Sequence, residues 1–373
     1  MRVSVIPFYR QGLGNRMFAP DFNINSHLME PNVEWFNQCL AAGIELGTYD
    51  LMPVEKADLV IFMDLPAQRS EVLAVKRRAP QAKFLLALYE SPFERPHWFN
   101  PKNHEEFDAV LTFNPQLWQR GGKYFQFYLP VGLPPAYIPA TSFAQRLPSV
   151  MVNSNFYYGI GTGNRPWHWA TGYRSIQRAG WQFGLQDFIQ AKRSLYYHGR
   201  QKLARAAEAF SENVLDVYGA NWNGWNQGWY YRFFPDSPYQ AARGKFDADK
   251  LTLLGRYRFV IAYENYVSDV GYISEKIFDA FYAGCVPVYL GDQNVSNWID
   301  PDCFVDARKF KSPRAVLQFV RDCDQSTWEG MIAAGQRYLK SEQIRLFQPK
   351  HFAETMVRAI QFAVPREKKP VLY

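Results

Sequence analysis

The chain has 373 residues, 47% of them apolar, 21% charged and 17% aromatic, with a formal net charge of +7. That length exceeds what one hydrophobic core usually spans and points to two domains, while the composition excludes a disordered or fibrous chain. The positive balance admits nucleic acid, an anionic membrane or phosphorylated small molecules as partners. The basic residues are scattered, however: Lys76-Arg77-Arg78 and Arg366-Glu367-Lys368-Lys369 read as solvated faces, and no nucleic-acid recognition motif stands in the sequence. No stretch approaches the ~18 uninterrupted apolar residues of a membrane span. The opening MRVSVIPFY lacks the apolar region and cleavage site of a secretory leader. Cys39, Cys285, Cys303 and Cys323 show no metal-ligand or redox spacing. A reduced, cytoplasmic chain is the expectation, with at most peripheral contact between the tail VPREKKPVLY and the inner face of the membrane. Aromatic faces suit sugar rings and bases as well as cores.

The first half alternates short apolar strands with amphipathic helices. RVSVIPF reads as a strand, and NVEWFNQCLAAGI as a helix with Val33, Trp35, Phe36, Leu40 and Ile44 on its buried side. ADLVIFMD is a continuous apolar run suited to a parallel strand covered on both faces. SEVLAVKRRAP is a helix with Pro80 past its end, and KFLLALYE, FDAVLTFN and YFQFYLPVG are further strands. This alternation predicts an α/β domain with an open, mostly parallel sheet. The proline-rich stretch from Pro130 to Pro148 is the linker candidate. It sets a first domain at residues 1–147, a second at 148–345, and a helix with a basic tail at 346–373.

The second half opens with SVMVNSN as a strand, followed by a Trp/Gly/Arg-rich stretch from Phe156 to Gln186 that carries Trp167, Trp169 and Trp181. Loops of that length are usually functional or disordered, and the tryptophans argue against disorder. SLYYHGRQKLARAAEAF is a helix, VLDVYG a strand, DADKLTLLGRY a helix and RFVIAYE a strand. PDCFVDARKF is expected as another strand, and three helices close the chain from SPRAVLQFVRDC onward.

Residues 264–291, ENYVSDVGYISEKIFDAFYAGCVPVYLG, form a strand-end loop, a helix and a returning strand. The loop emerges at the carboxyl end of the preceding strand, where open α/β sheets hold ligands. With Ser274 as N-cap, Glu275 and Lys276 occupy the first helical turn, Ile277, Phe278 and Phe281 make the apolar face, and Gly284 is the stop. The unpaired N–H groups of that turn favour an anion. A lysine there opposes the helix dipole by a few tenths of a kcal/mol, a penalty that a bound phosphate reverses. Lys276 is thus a candidate ligand of a diphosphate, and Glu275 of ribose hydroxyls. In the plainer reading Glu275 is a dipole partner and Lys276 a solvated side chain.

YRFVIAYENYVSDVGYISEKIFDAFYAGCVPVYLGDQNV resembles the signature block of glycosyltransferase family 10, the α-1,3/1,4-fucosyltransferases. The family pattern runs Y-K-F-x-x-x-F-E-N, then G-Y-x-[ST]-E-K, then A-G-x-[IV]-P-[IV]-x-x-G. Upstream, the helix with Arg200 and the YGANW turn resemble the bacterial members, and DPDCFVDARKFKSP matches their next strand and loop. Tyr263 stands where the family more often has Phe, and the insertion from Phe156 to Gln186 is longer than the family leads one to expect.

The resemblance implies the GT-B fold, two Rossmann-like α/β domains with a deep interdomain cleft, the acceptor mainly on the N-terminal one and the donor on the C-terminal one. It implies that Arg200 and Lys276 neutralise the diphosphate of GDP-fucose, Glu275 holds the ribose, and Glu264, Asn265 and Tyr272 belong to the donor pocket. Inverting transfer also needs a carboxylate to take the acceptor proton. Glu90, at the end of KFLLALYE and before SPFERP, resembles the family's catalytic glutamate, with Glu94 and Asp64 in reserve. Trp167 and Trp169 are candidates for stacking on an acceptor sugar, as is Trp181. The implied partners are a GDP-sugar donor and an oligosaccharide acceptor, without nucleic acid. No metal is implied by residue spacing: the triplet Asp247 to Asp249 reads as a helix N-terminal charge cluster, although divalent cations often stimulate family members. Two alternatives stand beside this reading, another GDP-deoxyhexose donor on the same fold and a carbohydrate-binding scaffold without catalysis.

Overall fold

The computed structural model describes residues 1–22, 30–66, 69–90, 96–132, 141–155, 199–220, 222, 238–246, 249–265, 267 and 271–365. The chain divides into two compact units, Met1–Leu133 with Arg345–Tyr373, and Pro134–Ile344. In the first unit, strands β1 (Arg2–Ile6), β2 (Glu45–Thr48), β3 (Leu59–Met63), β4 (Lys83–Ala87), β5 (Ala109–Thr112) and β6 (Tyr124–Gln126) form one sheet in the order β2-β1-β3-β4-β5-β6. Every pairing is parallel. All five residues of β3 are buried, as a strand covered on both faces requires. Helices α1 (Glu30–Ala41) and α2 (Arg69–Arg78) and the single turn α3 (Pro115–Trp118) lie between the strands.

Helix α1 buries Pro31, Trp35 and Cys39, while Leu40 is 67% exposed. The expected apolar face is therefore one position off at its end. Residues four apart share a helix face, so Cys39 rather than Leu40 follows Trp35 inward. Strand β2 was not expected, since Glu45-Leu46-Gly47-Thr48 offers a single large apolar residue; it sits at the sheet edge, paired with β1 alone.

The second unit repeats the plan. Its strands β7 (Leu147–Val152), β8 (Asp216–Tyr218), β9 (Ala242–Gly244), β10 (Tyr257–Tyr263), β11 (Val286–Leu290) and β12 (Val305–Asp306) form a sheet in the order β12-β11-β10-β7-β8-β9. All these pairs are parallel too. This is the doubly wound dinucleotide-binding order, which reverses between its first and fourth strands, here β7 and β10. In the first unit the order reverses between β1 and β3.

Helices α4 (Arg200–Ala207), α5 (Lys250–Leu254), α6 (Glu275–Tyr282), α7 (Pro313–Asp322) and α8 (Gln325–Tyr338) belong to the second unit. The last helix, α9 (Pro349–Ala363), returns to the first unit, where the Phe352 ring lies 6.2 Å from that of Trp35 and 6.5 Å from that of Phe127.

One expectation needs correction. Of PDCFVDARKF only Val305–Asp306 is strand, between short 3-10 turns at Pro301–Cys303 and Ala307–Lys309. Asp300 and Asp306 set those turns by accepting the N–H groups of Asp302 and Arg308, a local alternative to the ladder. The division between the two units falls within the proline-rich stretch, between Leu133 and Pro134. Arg146 is 4% exposed and donates to the carbonyls of Tyr257 at 2.9 Å and Gly284 at 2.8 Å, fixing the entry into β7.

All four cysteines are free and buried. Among the described residues no helix is long and apolar enough to cross a membrane.

Candidate functional site

The sequence drives β10 into the second sheet: it runs through β-branched and aromatic residues, nearly all buried, and ends at the reversal between β7 and β10. The next residue, Glu264, still donates its N–H to the Leu290 carbonyl at 2.8 Å. Its side chain is fully buried. A buried carboxylate must be met by donors. Here one oxygen accepts the Ser274 N–H at 2.7 Å, and the other accepts the Ser274 hydroxyl at 2.6 Å and the Lys276 ammonium at 3.3 Å. Ser274 thus occupies the expected N-cap position of α6 without capping it by a side-chain hydrogen bond; its hydroxyl serves Glu264.

A second acid pins the same loop from β11. Asp292 is 1% exposed and accepts the Gly271 N–H at 2.7 Å and the Asn294 N–H at 2.8 Å. Gly291, between β11 and Asp292, has no room for a side chain, because a Cβ would meet the Glu264 Cγ at 2.5 Å and the Tyr289 ring. Tyr272, which lies between the two pinned positions, is 6% exposed.

Arg200 is the first residue of α4, which follows β7 in the chain. It is half-buried, and its guanidinium donates to the Tyr263 carbonyl at 2.8 Å and to Asn265 Oδ1 at 2.9 Å. The neighbouring Gln201 donates to Asn155 Oδ1 at 2.7 Å. The start of α4 therefore ties the carboxyl ends of β7 and β10 together across the reversal point. Gly219 and Trp222, beyond β8, support this arrangement. Gly219, at φ 136°, lies so close to the Asn153 carbonyl that no Cβ would fit, and Trp222 Nε1 donates to the same carbonyl at 2.6 Å.

Lys276 is only 13% exposed at its side chain, with its ammonium 3.0 Å from the Ser274 hydroxyl and 3.7 Å from the Glu275 carboxylate. Behind it stands a residue that sequence reasoning missed. Lys250, on α5, lies 2.6 Å from Asp279, and Asp279 follows Glu275 by one turn on the same helix face. Burial works to raise the Glu275 carboxyl, yet the Lys276 and Lys250 ammonium groups bring it down to about 2. Asp279 goes the other way, raised by burial. Two cations, Arg200 and Lys276, are thus held at the carboxyl end of the sheet by carbonyl, hydroxyl and carboxylate oxygens that are themselves fixed. The charge cluster read at the start of α5 is in part a cap, since Asp249 accepts the Thr252 N–H at 2.9 Å; Asp247 lies outside the described residues.

In the first unit Glu90 is half-buried just beyond β4. Asp64, at the end of β3, is 4% exposed and accepts the N–H groups of Tyr89 at 2.5 Å and Glu90 at 3.4 Å. That carboxylate is engaged with the backbone, which does not suit the reserve role given to it. Glu94, Trp167, Trp169, Trp181 and the rest of the 156–186 stretch lie outside the described residues. Among the described residues no group of His, Cys, Asp and Glu is placed to hold a metal ion.

Residues 199–330 match the family model described as glycosyltransferase family 10 (fucosyltransferase), C-terminal. GDP-fucose protein O-fucosyltransferase 3 of Danio rerio is 33% identical over 84 residues, 22% of this chain and 18% of that protein. The 4-galactosyl-N-acetylglucosaminide 3-alpha-L-fucosyltransferase 9 of Mus musculus is 33% identical over 92 residues, 24% of this chain and 25% of that protein. The chain thus spans a quarter or less of the length of these relatives. Among solved structures, an α1,3-fucosyltransferase with GDP-fucose aligns over 97% of this chain and 90% of its own, with a TM-score of 0.51 and 14% identity. A DNA-modifying β-glucosyltransferase aligns over 97% of this chain and all of its own, with a TM-score of 0.55 and 9% identity. At such identities the likeness shows the fold, the paired parallel α/β domains of GT-B glycosyltransferases. The arrangement around Arg200, Glu264 and Lys276 falls inside the segment that the family model matches, and residues 199–330 of this chain are similar to the C-terminal domain of the family 10 fucosyltransferases.

Proposed function

We propose that this protein transfers fucose from GDP-fucose to a hydroxyl of an acceptor glycan, with inversion at the anomeric carbon and an α-1,3-type linkage. The observation that carries the reading is the pair of cations, Arg200 and Lys276, held at the reversal point of a dinucleotide-type sheet within the family-matched segment. In this reading the second unit takes the donor. Arg200 and Lys276 bind the diphosphate and stabilise the charge that develops on it as the sugar departs in an oxocarbenium-like state, the role of fixed charges aimed at a leaving group. Glu275, ionised under all ordinary conditions, accepts ribose hydroxyls. Asn265 lines the pocket, and Glu264 and Tyr272 shape it from within. The first unit takes the acceptor, and Glu90 removes the proton from the attacking hydroxyl.

Calorimetric titration with GDP, with UDP and CMP as controls, tests the donor half. Selective GDP binding that weakens about 10- to 100-fold in Lys276→Ala is expected, the worth of one charge-assisted contact. Selective UDP binding would sink the GDP assignment, and the fold alone does not decide it, since a UDP-glucose complex of an Anabaena protein also aligns over 97% of this chain with a TM-score of 0.52. Transfer from GDP-fucose should fall about 10²- to 10⁴-fold in Glu90→Gln, as general-base catalysis supplies. GDP binding with no turnover on any GDP-sugar would favour the scaffold reading.

A further inference from the structure

The geometry points to Asp64 as the residue that positions Glu90, an inference that rests on Glu90 being the base. Strands β3 and β4 pair with Met63 opposite Ala87, and the ladder runs one bond further, from the Asp64 N–H to the Ala87 carbonyl at 2.8 Å. In a regular parallel ladder the following bond would join the Tyr89 N–H to the main-chain carbonyl of residue 64. The chain instead turns left-handed at Asp64, with φ 66°. The side-chain Oδ1 of that same residue takes the Tyr89 N–H at 2.5 Å and reaches the Glu90 N–H at 3.4 Å.

Only Asn15 and Asp64 among the described non-glycine residues have positive φ. Such backbone is unfavourable for a residue with a Cβ, least so for Asn and Asp, and it persists where surrounding structure fixes it, often at functional sites. What the turn at Asp64 achieves is visible in its partners. A buried carboxylate replaces a carbonyl in the ladder and so sets the direction in which the chain leaves β4, and the second residue it holds is Glu90. Tyr89, between them, is clamped from its other side by ring contacts to Phe127 at 5.3 Å and Phe352 at 6.2 Å. Backbone donors and an aromatic anchor thus immobilise the residue that precedes the base, and a base acts only if it is aligned with the hydroxyl it deprotonates.

The test uses the full chain with Asp64→Gly, which keeps the left-handed backbone and removes the acceptor, Asp64→Asn, which keeps both, and Glu90→Gln. Transfer from GDP-fucose to a 4-galactosyl-N-acetylglucosaminide acceptor is followed together with amide hydrogen exchange at Tyr89 and Glu90. In Asp64→Gly we expect kcat to fall about 10- to 100-fold, as for a displaced catalytic group, with KM for GDP-fucose within about twofold and both amides losing protection. Asp64→Asn should restore kcat to within about threefold and keep the protection, because its amide oxygen still accepts. In the Glu90→Gln background Asp64→Gly should lower transfer no further, since residues that act as a unit are not additive. Unchanged protection in Asp64→Gly, or full kcat there while Glu90→Gln is inactive, overturns the positioning role. If Glu90→Gln stays fully active while Asp64→Gly loses amide protection, the base assignment fails and the hold of Asp64 on the loop stands.

Discussion

The carboxyl ends of the two sheets are held in unlike ways. At the end of the second, four acids and two lysines interlock: Glu264 with Ser274 and Lys276, Asp292 with Gly271, and Glu275 and Asp279 with Lys250. At the end of the first, one carboxylate, Asp64, holds two backbone N–H groups and leaves the neighbouring Glu90 half-exposed. The difference follows from what each end is proposed to bind. A cation kept for a diphosphate in a poorly solvated site needs counter-charge when the ligand is away, so acids gather around it and become structural. A general base has to remain within reach of a proton, so its support comes from behind, through the backbone.

The sharpest way to break this contrast is Lys250→Met, which removes a charge from the interlocked end without touching the proposed ligand contacts. It leaves Glu275 and Asp279 one helical turn apart with their shared partner gone, and a broken buried ion pair costs about 3 kcal/mol. The loss should appear as a lower Tm at neutral pH in scanning calorimetry. Its pH dependence follows from the sign of the shift. The Glu275 carboxyl lies at about 2 in the folded chain against 4.5 for the free group. Its ionisation therefore stabilises the fold above about pH 4.5, and that contribution is lost as pH falls towards 2. Asp279, raised by burial, works in the opposite sense and reduces the total. The gap in Tm between wild type and Lys250→Met should be widest near neutrality and shrink across that acid window. A gap that stays constant would mean that Lys250 does not set the ionisation of Glu275.

Next in size is Glu264→Gln, which keeps the shape of the buried side chain and removes its charge. Hydrogen bonds to a charged group exceed neutral ones by about 1 to 2 kcal/mol, and both the serine and the lysine lose that excess. Stability should fall by about 2 kcal/mol, and GDP should bind more weakly because residues 274–276 are no longer fixed. Asp64→Asn, at the end of the other sheet, should leave GDP affinity within about twofold. Equal weakening by both substitutions would erase the distinction between the two ends.

How much of this was legible in the sequence depends on how local the cause is. The β10–α6–β11 unit could be read because its strand, loop, helix and returning strand are consecutive, and each signals itself through period and composition. Lys276 could be assigned to a first helical turn for the same reason, whereas Arg200 stood in the middle of the helix expected from SLYYHGRQKLARAAEAF and is the first residue of α4. The partnership of Lys250 with Asp279 could not, because it joins residues 29 positions apart through the packing of α5 on α6. Nor could the use of the Ser274 hydroxyl: serine before a helix predicts a cap, and only the tertiary approach of a buried carboxylate diverts it. In the first unit, Glu90 showed as an acid at a strand end, while the left-handed turn at Asp64 is set by the β3–β4 register, which one strand's sequence does not contain. Short edge strands such as β9, Ala242–Gly244, carry too few residues for any period to show.

The smallest of these effects discriminates best at the serine itself. If Ser274 stabilised α6 as a cap, Ser274→Gly would be nearly harmless and Ser274→Ala would cost about 1 kcal/mol, since glycine is tolerated at an N-cap and alanine is not. Its hydroxyl is instead donated to Glu264 at 2.6 Å and lies 3.0 Å from the Lys276 ammonium. Both substitutions should then lower stability alike, by about 1 to 2 kcal/mol for a lost hydrogen bond to a buried charge. In the Glu264→Gln background the loss should shrink, because residues in one network are coupled and their effects do not add. Chemical denaturation of the six proteins, the two serine substitutions in each background and the two parents, reads all of this from the midpoint. An alanine variant clearly worse than the glycine one, with the same difference in both backgrounds, would return Ser274 to the helix and leave Glu264 held by the backbone N–H and the lysine alone.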